Sequence, residues 1–181
     1  MLAEYSIWLL PMSAQESTLA ATVTRLSNAL AGAVFAPHVT IQGDLTQPLE
    51  KLAEFSAALA ERVFVQNWRV RQVESSPHFF RCLYLRFGVA PGFEALQEAS
   101  RAFSKTTDGL SPFPHLSLAY GNAGPAHAQA RADLAREFMA REFVFDRLAI
   151  CRASKNVPVA DWQCLAIYPL KRREQDRGQL P

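Results

Sequence analysis

The chain has 181 residues, 49% of them hydrophobic, enough to bury a sizeable core in one domain or two small ones. Nineteen Lys and Arg against 17 Asp and Glu leave a formal charge of +2, which argues against a protein that coats long nucleic acid but allows a small anionic ligand. No run of about 18 apolar residues occurs, so no membrane span is expected. The N-terminus lacks a basic region and its first apolar run is cut at Pro11, so it does not read as a signal peptide and a cytoplasmic protein is expected. The three cysteines, Cys82, Cys151 and Cys164, form no CxxC or Cys/His cluster. They read as buried small hydrophobes rather than as a zinc site or a dense disulfide framework.

Tyr5 to Leu10 is rich in strand formers and stops at Pro11, which predicts a central strand. Ser13 and Glu16 have capping-box spacing, and Leu19, Val23, Leu26 and Leu30 follow at helical spacing up to Gly32. Phe35 to Ile41 reads as a strand entered at Pro37, with Gly43 and Asp44 marking its far end. Pro48 suits the first turn of a second helix carrying Leu52, Phe55 and Leu59. Val63 to Val73 alternates a mainly apolar face with a mainly polar one, as in a sheet with one wet side. Residues 74–78 form a loop and the expected lobe boundary.

Phe79 to Phe87 reads as a strand, and Pro91-Gly92 precedes a helix with Phe93, Leu96 and Phe103. After a turn at Asp108-Gly109 comes a strand ending near Tyr120-Gly121-Asn122, then a helix opened by Pro125. Phe143 to Cys151 and Trp162 to Leu170 are the closing strands. Residues 1–170 are expected to form one bilobal domain, whose strands can exchange between lobes. The polar tail 171–181 has no apolar period and is expected to be mobile.

Two stretches repeat one pattern: Pro37-His38-Val39-Thr40-Ile41 and Pro114-His115-Leu116-Ser117-Leu118. On a strand, His38 and Thr40 share a face about 7 Å apart, as do His115 and Ser117, while Val39, Ile41, Leu116 and Leu118 turn to the other side. The histidines lie close to half a chain length apart, and the order strand, helix, motif strand, helix, strand occurs twice. This predicts an internal duplication with a pseudo-two-fold axis that brings the motif strands together at a cleft.

In-line displacement at phosphorus needs a base beside the entering oxygen and an acid beside the leaving one. Two imidazoles with ordinary pKa values near 6.5 supply both around neutral pH, and Thr40 and Ser117 can donate to the non-bridging oxygens. The arrangement requires no metal, and no HExxH or carboxylate-histidine cluster has ligand spacing. No cofactor is expected. Phe79, Phe80 or Trp68 could stack on a base, although an aromatic in a strand is more often core. His78 could line the cleft mouth but reads more readily as a solvated loop residue, His127 reads as helix surface, and Arg69 and Arg71 as ordinary cations of a wet sheet face.

The paired motifs resemble those of the 2H phosphoesterase superfamily, named for two His-x-Thr/Ser motifs. Within it, Tyr5-Ser6-Ile7-Trp8-Leu9-Leu10-Pro11, Phe80-Arg81-Cys82-Leu83-Tyr84-Leu85 and His115-Leu116-Ser117-Leu118-Ala119-Tyr120-Gly121 are similar to the cyclic phosphodiesterases. The likeness spans most of residues 4–170. It implies an α+β fold of two pseudo-symmetric lobes, each with an antiparallel sheet and helices, around a central cleft. It also implies metal-independent opening of 2′,3′-cyclic nucleotides to 2′-phosphates, with ADP-ribose 1″,2″-cyclic phosphate as a further substrate. By the same resemblance His115 is the base, His38 the acid, and Thr40, Ser117 and Tyr120 contact phosphate; strand alternation puts Tyr120 off the His115 face unless a turn redirects it. The expected partner is a small cyclic-phosphate nucleotide bound by a monomer. An RNA-end processing or RNA ligase-like enzyme is the rival within the superfamily, and a non-catalytic nucleotide-phosphate binding module is the rival of another class.

Overall fold

The computed structural model describes residues 4–88 and 90–173. Its chain order is β1 (Tyr5–Pro11), α1 (Ser13–Leu30), β2 (Val39–Leu45), α2 (Leu49–Ala60), β3 (Gln66–Ser75) and a 3-10 turn (Phe79–Arg81). β4 (Leu83–Phe87), α3 (Pro91–Ser104), β5 (His115–Ala119), α4 (Pro125–Phe138), β6 (Glu142–Arg152), a 3-10 turn (Val159–Asp161) and β7 (Gln163–Pro169) follow. All strand pairings are antiparallel, in the order β2-β1-β6-β3-β4-β5. β7 joins β6 beside β3, so two half-sheets meet along the long strand β6. The outer strands of the path, β2 and β5, are the two motif strands.

Each half of the chain contributes a strand, a helix, a motif strand and a second helix, and then sends its last strand into the other half-sheet. β3 pairs with β4, and β6 pairs with β1. The first helix of each half crosses over as well: α1 packs on β5 and α3 packs on β2, while α2 covers β6 and β7 and α4 covers β3 and β4. The main core runs from Leu9 and Ile41 through Leu85 and Leu116 to Phe138 and Phe145, and Trp8, Leu10, Ala149, Cys151 and Ala153 form a second, smaller cluster. Glu74 and Ser75, expected in a loop, are instead paired with Tyr84 and Leu83 inside the second half-sheet. The chain has already crossed between α2 and β3.

Tertiary contacts also override several local signals. α1 has no side-chain cap: Met12 stands at the N-cap position, Ser13 is already the first helical residue, and Glu16 binds Arg147 at 2.8 Å. Ala31, at φ 52°, takes the left-handed position that ends α1, and Gly32 serves a different purpose. A Cβ on Gly32 would stand 2.7 Å from the Tyr120 carbonyl oxygen, so only glycine lets α1 approach the end of β5 this closely. Gly43 and Asp44 lie within β2, which runs on to Leu45 across an irregular register, rather than ending it. The expected strand from Phe79 begins only at Leu83, since Phe79–Arg81 coil into a single turn.

Cys151 and Cys164 face each other across β6 and β7 as a disulfide, where small buried hydrophobes were expected; Cys82 alone is free and buried. His127 is likewise buried rather than on the surface, and its Nδ1 accepts the Gly124 amide at the start of α4. Of the expected mobile tail, Lys171 is tied to Val63 and Val65 by two backbone hydrogen bonds, and residues 174–181 lie outside the described residues. No helix among the described residues is long and apolar enough to cross a membrane.

Candidate active site

β2 and the segment before β5 are stitched together where the outer edges of the two half-sheets approach. The Gly43 amide donates to the Gly109 carbonyl at 2.8 Å and the Ser111 amide to the Ile41 carbonyl at 3.4 Å. Gly109, at φ 70°, has the Gly43 backbone where a Cβ would stand, so this approach requires glycine. Two side-chain amides, Gln42 buried and Gln97 half-buried, reinforce the seam. Gln42 donates to the Thr106 and Asp108 carbonyls and accepts from Ser100 and Ser104, and Gln97 donates to the Ser111 carbonyl at 2.6 Å.

Above the seam is a cavity of about 350 Å³, lined by His38, Thr40, His115, Ser117 and Tyr120 among others. Alternation places the motif residues as the sequence predicts: Val39, Ile41, Leu116 and Leu118 are fully buried in the core, and the imidazoles and hydroxyls line the cavity. His38 stands just before β2, and His115 opens β5.

Both imidazoles are fixed in the same way. His38 Nδ1–H donates to the Ala36 carbonyl at 2.6 Å, and His115 Nδ1–H to the Phe113 carbonyl at 2.9 Å. Each bond reaches two residues back along the chain. It holds the ring in the tautomer that leaves Nε2 unprotonated and free for chemistry. Ser111 adds its hydroxyl at 3.2 Å from His115 Nδ1. Burial, opposed by the Ala36 carbonyl and aided by the charge of His115, holds His38 down at about 4. His115 is also held at about 4: burial lowers it, the Phe113 carbonyl opposes this, and the charges of Arg81 and Arg86, with the nearby His78, lower it further. Both rings are thus neutral at pH 7 in the unliganded protein.

The hydroxyls differ. Thr40 reaches the cavity from β2, directly opposite Trp8 on β1. Ser117 donates to the Phe80 carbonyl at 2.8 Å, so it must turn its hydrogen away from that oxygen to donate to a phosphate. Tyr120 lies one residue past the end of β5, and this exit from the strand redirects its ring into the cavity. There it stacks on Phe35 at 3.7 Å, and burial keeps its phenol protonated well above the ordinary range. Tyr120 therefore remains a hydrogen-bond donor at any pH of interest.

Of the three aromatics considered for stacking on a base, Phe80 lines the cavity, whereas Phe79 is 45% exposed and only supports Phe80 edge-on from outside. Trp68 is core. His78 does line the cavity, beside Arg81. Sequence reasoning missed Trp8, Trp162, Arg81, Ser111 and Lys155. Trp8 reads in the sequence only as a strand former, and its place beside Thr40 follows once the pairing of β1 with β2 is known. Trp162 arrives from the approach to β7 and has no motif to announce it. Among the described residues no three His, Cys, Asp or Glu side chains gather as a metal site.

No protein-family model and no curated protein matches the chain in sequence. Solved structures do match it. TT0787 of Thermus thermophilus superposes with a TM-score of 0.62 at 17% identity, covering 92% of this chain and 97% of that one. LigT of E. coli in apo form gives 0.59 at 13% identity over 93% and 97% of the two chains, and its complex with 3′-AMP gives 0.58 at 14% over 93% and 98%. A further structure described as a phosphoesterase gives 0.56 at 14% identity, over 93% and 98%. These neighbours, matched over nearly the whole length of both chains, show that the protein shares their α+β fold.

Proposed function

We propose that the protein is a phosphoesterase, and specifically a metal-independent cyclic phosphodiesterase that hydrolyses 2′,3′-cyclic phosphates of nucleotides to 2′-phosphates. The observation that carries this reading is the pair of imidazoles that enter one cavity from different half-sheets. Each is locked at Nδ1 and has Nε2 free, and a hydroxyl stands on the same strand face as each. The complex of LigT with 3′-AMP supports a nucleotide of this size.

In this mechanism His115 is the base, since Arg81, His78 and Arg86 all disfavour its protonation. Its Nε2 takes a proton from water as the water oxygen attacks phosphorus in line with the 3′ oxygen. The P–O3′ bond breaks, and O3′ receives the proton carried by His38 Nε2, leaving the phosphate on the 2′ oxygen. Thr40, Ser117 and Tyr120 donate to the non-bridging oxygens as charge builds there. Phe80 and Trp162, whose rings lie 5.9 Å apart and 24° from parallel, form the apolar wall available to the base. The negative phosphate raises the affinity of both rings for a proton, so the singly protonated pair becomes populated on binding although both are neutral without it.

The test is turnover by purified, EDTA-treated protein of each 2′,3′-cyclic nucleotide, of ADP-ribose cyclic phosphate and of RNA ending in a cyclic phosphate. Turnover of the mononucleotides to 2′-phosphates is the expected result. Turnover of none would leave a binding module, turnover of RNA alone would move the assignment to RNA ends, and activity that vanishes with EDTA and returns with metal would overturn the mechanism.

A further inference from the structure

The His38 ring lies flat on the Trp8 indole, with centroids 3.6 Å apart and planes 8° from parallel. Trp8 is 3% exposed, and its strand pairs on both sides, with Thr40 opposite on β2 and Ala149 opposite on β6. It is therefore held as firmly as any core side chain. Trp162 and Phe35 meet the same imidazole only edge-on or at an angle, at 6.2 and 6.3 Å. His115 has no such partner among the described residues. Its aromatic neighbours Phe113 and Tyr84 are tilted at 60° and 70° and stand 5.3 and 5.5 Å away.

We infer that Trp8 is a positioning residue that acts through His38: the indole face aligns the imidazole plane and selectively stabilises its protonated form, assigning His38 the acid's role. This rests on the acid-base reading above and adds the residue that breaks the equivalence of the two motifs. The physical basis is the negative face of the indole, which attracts an imidazolium more strongly than a neutral ring, an effect strengthened where water is excluded. With Nδ1–H committed to the Ala36 carbonyl and one ring face committed to Trp8, Nε2 has a single direction left, into the cavity. The other charged and titratable groups lining the cavity are His115, His78, Arg81, Lys155, Asp44 and Tyr120, and Asp44 is paired with Lys155 at 3.1 Å. No carboxylate among these is free to hold the proton on His38 instead.

The experiment follows the ring signals of His38 by NMR titration, and the pH dependence of kcat, in wild type, Trp8→Phe and Trp8→Leu. Trp8→Leu should lower the His38 midpoint by roughly half to one pH unit and move the alkaline limb of kcat by a similar amount, leaving the His115 signals in place. Trp8→Phe, which keeps a weaker aromatic face, should fall between the two and fold even if the leucine variant does not. A His38 midpoint unchanged in Trp8→Phe and Trp8→Leu, or a loss of kcat equal at every pH, would reduce Trp8 to packing and overturn the inference. The NMR readout needs no turnover. A protein inactive on every cyclic phosphate would therefore refute the proposed function, while the His38 midpoints would still support or overturn the role of Trp8.

Discussion

His38 and His115 carry the same five-residue pattern and the same Nδ1 bond to the carbonyl two residues back, yet their surroundings are opposite in character. His38 lies among aromatic rings, flat on Trp8 and flanked by Phe35 and Trp162. His115 lies beside two cations, Arg81 and Arg86, which oppose its charge as does the nearby His78, and Arg86 itself stands 4.2 Å over the Phe113 ring. The motif supplies an imidazole, its tautomer and its direction. The neighbours that differ lie outside the motif, so a duplicated sequence places two like imidazoles in unlike surroundings.

The most severe way to break this comparison is to remove either ring. His38→Ala and His115→Ala should each lower kcat with a cyclic nucleotide by about 10²- to 10⁴-fold, and the double variant should be little worse, because two groups acting on one proton path lose function non-additively. Steady-state kinetics on variants shown by circular dichroism to be folded would check this; near-wild-type activity in either single variant would return that histidine to a structural role.

Removing the hydroxyls should cost less. Thr40→Val and Ser117→Ala should each lower kcat by about 10²- to 10³-fold with a small change in KM, the scale of one lost donor to a developing oxyanion. Ser117→Ala also deprives the Phe80 carbonyl of its donor, so its melting temperature should drop more than that of Thr40→Val. Equal kcat in wild type and both variants would make the hydroxyls purely structural.

The burial that both rings share should appear in stability. Each is held near 4 in the folded protein against about 6.5 when unfolded, so below pH 6.5 the unfolded chain binds protons that the folded one does not. Stability is complete above that value and is lost as the pH falls towards 4, on the order of 3 kcal/mol per histidine. Denaturant melts of wild type, His38→Gln and His115→Gln between pH 7 and 4 should show each variant losing less than wild type. Parallel curves for all three would mean that the rings are solvated.

The smallest effect sharpens the difference between the rings. Arg81→Met removes one of the cations beside His115, so His115 should protonate more readily and the acid limb of the kcat/KM profile should move to higher pH, by up to about one unit. The alkaline limb should stay. Movement of the alkaline limb instead would exchange the roles of the two histidines.

Much of this is legible in the chain itself. The repeated Pro-His-apolar-hydroxyl-apolar pattern determines which side chains enter the cavity, since strand periodicity leaves Val39, Ile41, Leu116 and Leu118 no other face. Apolar spacing locates all four helices, because burying a stripe on a 3.6-residue period is a local property of the sequence. The start of α1, the coil at Phe79–Arg81 and the continuation of β2 past Gly43 depart from the local signals. For β2 a partner distant in sequence, Gly109 for Gly43, outweighs a local preference worth about 1 kcal/mol.

The exchange of α1, α3, β3 and β6 between half-sheets is decided only by tertiary structure. Strand pairing depends on which edges remain open once both halves have formed, and no single segment encodes that. The same holds for the protonation preferences of the site. Trp8, Arg81 and Trp162 are scattered over most of the chain, and their effect on an imidazole depends on ring planes and distances that exist only after folding brings β1, the Phe79–Arg81 turn and the approach to β7 around one cavity. A sequence determines which residues can do chemistry when their periodicity is local; how strongly each holds its proton is a sum over neighbours, and the neighbours are chosen by the fold.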